Sequence, residues 1–258
     1  MDFSHIVTEV ADGVGTITIN RPDVRNALDL QTLQEIEQAL DVWRTDDQVR
    51  VVIFTGAGEK SFAAGADIAQ LNERTMLEAL APNMTATYRY IEAYDKATIA
   101  AINGYAFGGG LELALACDIR VAASHAKLGL PELNLGIMPG AGGTQRLARI
   151  VGKGRAMEMI LTGAIVTAEE AVAVGLVSRA VPLEQLREVA AEFARKISAK
   201  APLAVRLAKT AVNRGTDLDM ETALYLEKLS QTILMGSEDK QEGTLAFLEK
   251  RQPQFKGK

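Results

Sequence analysis

Residues 103–132 read NGYAFGGGLELALACDIRVAASHAKLGLPE. Three consecutive glycines, Gly108, Gly109 and Gly110, stand directly before a short apolar segment of helical character. Glu112 lies at the start of that segment, and Glu132 follows Pro131 further on. Glycine lets a backbone approach a ligand closely, and a helix start offers N–H groups with no intrahelical partner. Two glutamates in mostly apolar surroundings can divide the roles of acid and base. On the N-terminal side the β-branched run Thr98-Ile99-Ala100-Ala101-Ile102 feeds into the glycines. On the C-terminal side Ile119-Arg120-Val121-Ala122 reads as a strand. The segment is therefore strand, glycine turn, helix, strand.

The same grammar extends outward. Ile6–Val10 and Thr16–Ile19 read as strands joined by a turn at Gly13 and Gly15, and Asn20–Asp23 ends the second. Asp29 is the expected N-cap of a helix carrying Leu30, Leu33, Ile36, Leu40 and Trp43 at helical spacing. Val51–Thr55 is a compact apolar strand, and Ser61–Ile68 is a small-residue turn entering a helical region. A longer helix is expected over Met76–Tyr94, interrupted near Pro82. Pro139–Gly143 is a second glycine-rich turn, leading to a helix over Gln145–Ile150. Thr167 and Glu170 have the spacing of a capping box, in a short helix closed by Gly175, and Val177–Val181 is the last strand. Beyond it, helices are expected over Leu183–Ser198, Pro202–Asn213, Met220–Leu234 and Glu238–Lys250, with Ser237 as an N-cap. The order implies an α/β core over residues 1–195 and a helical region over 196–258.

Composition bounds the class. The chain has 258 residues, 48% of them hydrophobic and 24% charged, as a folded globular protein requires. A net charge of −5 argues against a general nucleic-acid binder. One basic stretch stands out, with Arg195, Lys196, Lys200, Arg206, Lys209 and Arg214 uninterrupted by acids, and is read as the solvated face of two amphipathic helices rather than an RNA site. A single cysteine, Cys117, excludes an intrachain disulfide, and two histidines cannot build a His-rich metal site, so no metal is expected. The first ten residues, MDFSHIVTEV, lack the pattern of a signal peptide, and no apolar run approaches the ~20 residues of a membrane span. A cytoplasmic location and no membrane partner are the expectation. No nucleotide loop is present: after Gly140-Ala141-Gly142 the third glycine of G-x-G-x-x-G is replaced by Gln145. Neither a P-loop nor a G-x-S-x-G elbow occurs. What remains is the glutamate pair and the backbone donors beside it.

The segments AAINGYAFGGGLELALACDI (100–119), SFAAGADI (61–68) and LPELNLGIMPGAGGTQRL (130–147) together resemble the enoyl-CoA hydratase (crotonase) family. The likeness runs from the first strand to the terminal FLEKRQPQF (247–255). It implies a spiral of repeated strand-strand-helix units with a C-terminal helical region used in trimer assembly, two trimers forming a homohexamer. It implies an acyl-CoA thioester substrate and no separate cofactor, coenzyme A being part of the substrate. The backbone N–H groups of Ala66 and Gly109 then correspond to an oxyanion hole for the thioester enolate. Glu112 and Glu132 occupy the two carboxylate positions of a 2-enoyl-CoA hydratase, Glu112 activating water, its charge favoured by the helix dipole, and Glu132 donating a proton. Coenzyme A contacts are implied for the Ala64, Gly65, Ala66, Asp67 and Ile68 backbone, for Arg25, and for Phe247 and Lys250 reaching a neighbouring subunit. Gly140, with Gly142 and Gly143, is expected to shape the acyl pocket. Enoyl-CoA isomerases of the same fold and RNA-binding hydratase relatives are the alternatives.

Overall fold

The computed structural model describes residues 3–81 and 84–258, so the interruption expected at Pro82 lies outside the described residues. Strands β1 (Ile6–Ala11) and β2 (Val14–Ile19) form an antiparallel hairpin. Helix α1 (Leu30–Arg44) starts at Asp29, whose carboxylate accepts the Thr32 N–H at 2.8 Å, as its sequence predicts.

From β3 (Val51–Gly56) the chain repeats one kind of turn. β3 leads to the short β4 (Ser61–Ala63) and then to α2 (Ile68–Glu73), α3 (Met76–Leu80) and α4 (Met84–Glu92). The next turn is β5 (Ala97–Ile102), β6 (Tyr105–Phe107) and α5 (Gly109–Ala116). The third is β7 (Ile119–Ala123) and β8 (Lys127–Gly129), a 3-10 turn at Glu132–Leu135, then α6 (Gly143–Val151) and α7 (Lys153–Thr162). It closes with β9 (Ile165–Thr167), α8 (Ala168–Ala173) and β10 (Arg179–Val181). The long strands form one sheet in the order β1-β2-β3-β5-β7-β10, parallel from β2 onward; the short ones form a second, β4-β6-β8-β9. Each turn thus gives one strand to each sheet before its helix returns the chain, which is the expected spiral of strand-strand-helix units. The parallel strands require these crossovers, because a parallel pair cannot be joined by a hairpin.

Both faces of the large sheet are covered, and the alternation along its strands sorts the core. Val52 and Phe54 of β3 and Ala100 and Ile102 of β5 face the main core with the site-bearing helices. Val51, Ile53, Ala97, Ile99 and Ala101 face the opposite side, where α9 (Leu183–Ser198) lays down Leu186, Ala190 and Ala194. The chain ends in α10 (Pro202–Gly215), α11 (Met220–Met235) and α12 (Glu238–Leu248), with Ser237 capping the last as predicted.

Several expectations need correction. The triple glycine does not follow β5 directly, since β6 intervenes. β8, β9 and α7 have no counterpart in the sequence reading, and the last strand begins at Arg179 rather than Val177. The interrupted helix expected over Met76–Tyr94 is two elements among the described residues, α3 and α4, flanking the expected break, the second ending at Glu92 rather than Tyr94. In the basic stretch, Arg195 pairs with Glu188, Lys196 with Glu192, Arg206 with Asp95 and Lys209 with Asp118. Arg195, Lys196 and Arg206 stay exposed, as expected, and acids of α9 itself and of other elements neutralise most of the run.

Candidate active site

The site is assembled from turns that the spiral stacks against one another. Gly108 caps α5 with φ 50° and ψ −127°, a conformation that side-chain-bearing residues avoid, and its N–H donates to Gly129 O at 3.0 Å. Gly65, at φ 92°, turns the chain between β4 and α2, and Leu28 N–H donates to its carbonyl at 2.8 Å. The two backbones lie close together. A methyl on Gly65 would fall 3.2 Å from Gly109 N and 2.9 Å from Phe107 O, and one on Gly109 would fall 3.5 Å from Ala66 N. Among the described residues neither the Ala66 nor the Gly109 N–H has an acceptor. Tyr88, fully buried, donates its hydroxyl to Gly109 O at 2.7 Å and anchors the first turn of α5.

Two buried amides hold the loops behind this pair. Asn26 accepts from Arg21 N–H and donates to Ala57 O and Ser61 O. Asn103 accepts from Gly56 N–H and donates to Gly56, Gly58 and Ser61 carbonyls. Arg25 and Asn26 are both left-handed, at φ 57° and 58°, which aims the Arg25 carbonyl at the Ala64 N–H, 3.1 Å away. Such backbone persists only where its surroundings over-determine it.

The carboxyls approach from the other side. Glu112 is 3% exposed, and its Oε1 accepts the N–H groups of Ala141 and Gly143, each at 2.8 Å. Gly143 opens α6, so Glu112 sits at the N-terminus of that helix. Glu112 lies in the first turn of its own α5, as expected, and the N-terminus of α6 adds two hydrogen bonds to it. Burial nevertheless raises the Glu112 carboxyl above its ordinary value, opposed by the two N–H groups and by the Arg146 guanidinium. Glu132 lies beneath Gly108, its Oε1 3.2 Å from where a Gly108 methyl would stand, and its Oε2 is buried with no hydrogen-bond partner. Burial, with a contribution from the Glu112 charge, pushes it up to about 7. Glu132 is thus no solvated loop carboxylate, but a group poised to hold or release a proton near neutrality.

Of the residues singled out from sequence, Ala64, Gly65, Ala66, Gly109, Glu112 and Glu132 come together here. Arg25 contributes its carbonyl to the loop while its side chain is exposed. Asp67 and Ile68 continue that loop into α2. Gly140 is exposed, and its carbonyl accepts the Thr85 hydroxyl at 2.9 Å, joining the 139–143 turn to α4. Phe247, 84% exposed, and Lys250, left-handed at φ 57°, stand at the end of α12, with no hydrogen bond or ion pair to either glutamate among the described residues. Sequence reasoning missed the Ala141 and Gly143 donors, Tyr88 and Arg146. It read the glycines of the 139–143 turn as pocket wall, whereas two of that turn's amides hold Glu112. Among the described residues no cluster of three or more His, Cys, Asp or Glu could hold a metal ion.

Comparison with known proteins identifies the family. The family model described as enoyl-CoA hydratase/isomerase matches residues 9–258. A short-chain-enoyl-CoA hydratase of Clostridium acetobutylicum is 44% identical over 253 residues, covering 97% of each chain. A crotonyl-CoA hydratase of Syntrophomonas wolfei is 43% identical, covering 99% of each. A crystal structure of an enoyl-CoA hydratase from Bacillus anthracis superimposes with a TM-score of 0.94 at 43% identity, over 99% of this chain and all of that one. From the first hairpin to the C-terminal helices, this chain belongs to the enoyl-CoA hydratase/isomerase family.

Proposed function

We propose that the protein is an enoyl-CoA hydratase, adding water reversibly across the C2=C3 bond of a 2-enoyl-CoA to give a 3-hydroxyacyl-CoA. One observation carries the reading: two unpaired backbone donors, Ala66 and Gly109, stand beside the buried carboxyl of Glu112 and the half-buried carboxyl of Glu132, the latter poised near neutrality. Hydration moves negative charge onto the thioester oxygen, and two converging N–H groups stabilise it there. Glu112, the less perturbed carboxyl and the one with two N–H donors, takes a proton from water as its oxygen bonds to C3. The π electrons pass to the thioester oxygen as an enolate. Glu132 then delivers its proton to C2 as the carbonyl re-forms, so the pair ends with the proton on Glu112 and resets by exchange.

The Ala64–Ile68 backbone and Arg25 are proposed to bind coenzyme A, Gly140 to border the acyl pocket, and Phe247 and Lys250 to reach the coenzyme of a neighbouring subunit. No cofactor beyond the substrate is required by this chemistry. Residues 196–258 are proposed to mediate assembly into a homohexamer of two trimers. Fatty-acid β-oxidation in the cytoplasm is the proposed setting; among the described residues no helix is long and apolar enough to cross a membrane.

The test is hydration of crotonyl-CoA, followed by loss of the conjugated enoyl absorbance, in wild type, Glu112→Gln and Glu132→Gln. Each variant is expected to lose about 10²–10⁴-fold in kcat. A wild type that binds coenzyme A thioesters yet leaves crotonyl-CoA unhydrated, or variants with undiminished rates, would overturn the assignment.

A further inference from the structure

The turn that holds Glu112 is itself held from behind. Arg146, on the first turns of α6 and largely buried, donates from Nη1 to Ala141 O at 2.8 Å. Its Nε and Nη2 donate to both oxygens of Glu92, at the end of α4, each at 2.9 Å. This is a bidentate fork, whose geometry only a guanidinium supplies. Gly142, at φ 105°, lies over the guanidinium: a methyl there would fall 2.1 Å from Nη1. The Glu92 carbonyl in turn accepts from the Asn213 side chain of α10 at 3.1 Å. One connected path therefore runs from the C-terminal helices through Glu92 and Arg146 to the Ala141–Gly143 backbone and so to Glu112.

We infer that Arg146, clamped by Glu92, is a positioning residue for Glu112: it fixes the two N–H donors on the Glu112 carboxylate and sets a cation beside it. The inference rests on the hydratase reading for its kinetic consequence, not for its geometry. The groups facing Glu112 are few. Arg146 comes from α6, Tyr88 from α4, and Glu132 from the turn after β8; the β5 strand packed under α5 carries no charged side chain. Tyr88 stays neutral, its ionisation opposed by complete burial and by the Glu112 charge. Arg146 is then the one cation in that set, and it lowers the proton affinity of Glu112. Removing it raises that affinity, so the sign of the effect is fixed.

The experiment compares wild type, Arg146→Gln, Arg146→Lys and Glu92→Gln. For Arg146→Gln, kcat is expected to fall about 10–100-fold, the loss of an oriented charge contact, with KM within about twofold of wild type. The acidic limb of its kcat/KM profile should move to higher pH. Arg146→Lys restores the charge without the fork, so its acidic limb should return toward wild type while kcat stays reduced. Glu92→Gln tests the clamp without touching the cation, and serves if Arg146→Gln does not fold. An unmoved acidic limb with wild-type kcat in a folded variant overturns the inference. So does an Arg146→Lys limb displaced as far as that of Arg146→Gln. Infrared titration of the Glu112 carboxyl, taken as a difference against Glu112→Gln, reads the same shift without turnover. A wild type inactive in hydration would sink the functional reading, while this titration would still decide the role of Arg146.

Discussion

In the proposed mechanism Glu132 and Glu112 share one proton, and the Glu112 charge adds to the upward shift of Glu132. Hydration starts with that proton on Glu132, and dehydration starts with it on Glu112. Because the equilibrium constant of hydration does not depend on pH, the kcat/KM profiles in the two directions must superimpose. With the upper titration near 7, set by burial of Glu132 and its unpartnered Oε2, both should fall as pH rises through neutrality and the pair loses its last proton. Hydration undiminished at about pH 9 would show that this carboxyl does not supply the proton. At this scale the sequence reveals the reacting carboxyls but not what governs them. Glu112 and Glu132 are conspicuous as acids in apolar company. The N–H groups of Ala141 and Gly143 belong to no side chain, and Arg146 finds Glu92 across 54 positions of chain, a pairing no local pattern encodes.

The elements around the glycines follow the same division. Gly110 lies where α5 meets β4: a methyl there would fall 2.0 Å from Ala63 O, with the α5 backbone unable to retreat from Tyr88 and β6. Gly110→Ala is therefore expected to destabilise the fold by about 3 kcal/mol or more, at the upper end of overpacking costs. A urea midpoint within error of wild type would show that the contact yields. Long elements with caps were legible: Asp29, Thr167 with Glu170, and Ser237 each cap the helix their spacing predicts. The strands β6, β8 and β9 were not, since three residues cannot display an alternation. Helix α7 was hidden for another reason. It follows α6 across Gly152 alone, with no side-chain cap to announce it. Thus one sheet was readable in the sequence, and the second, which positions the site, emerged only when the turns were stacked.

On the scale of the molecule, α11 is the element the single chain leaves incomplete. Met220, Leu224, Tyr225, Leu229, Ile233 and Met235 are exposed around its circumference, and Ser230 is its buried residue. So many exposed apolar side chains on one helix are what a subunit contact would cover, and the proposed homohexamer would use them in that way. Leu229→Glu combined with Ile233→Glu is expected to reduce the proposed hexamer to smaller species in sedimentation velocity; an unchanged sedimentation coefficient would remove α11 from the proposed interface. The site also has a dimension in time. Ala66, Gly109 and the pair Glu132 and Gly143 lie on three successive turns of the spiral, and the Gly143 contact with Glu112 spans 31 positions. A nascent chain halted before Ala141 would own both proposed thioester donors, yet Glu112 would lack the two N–H groups that hold it.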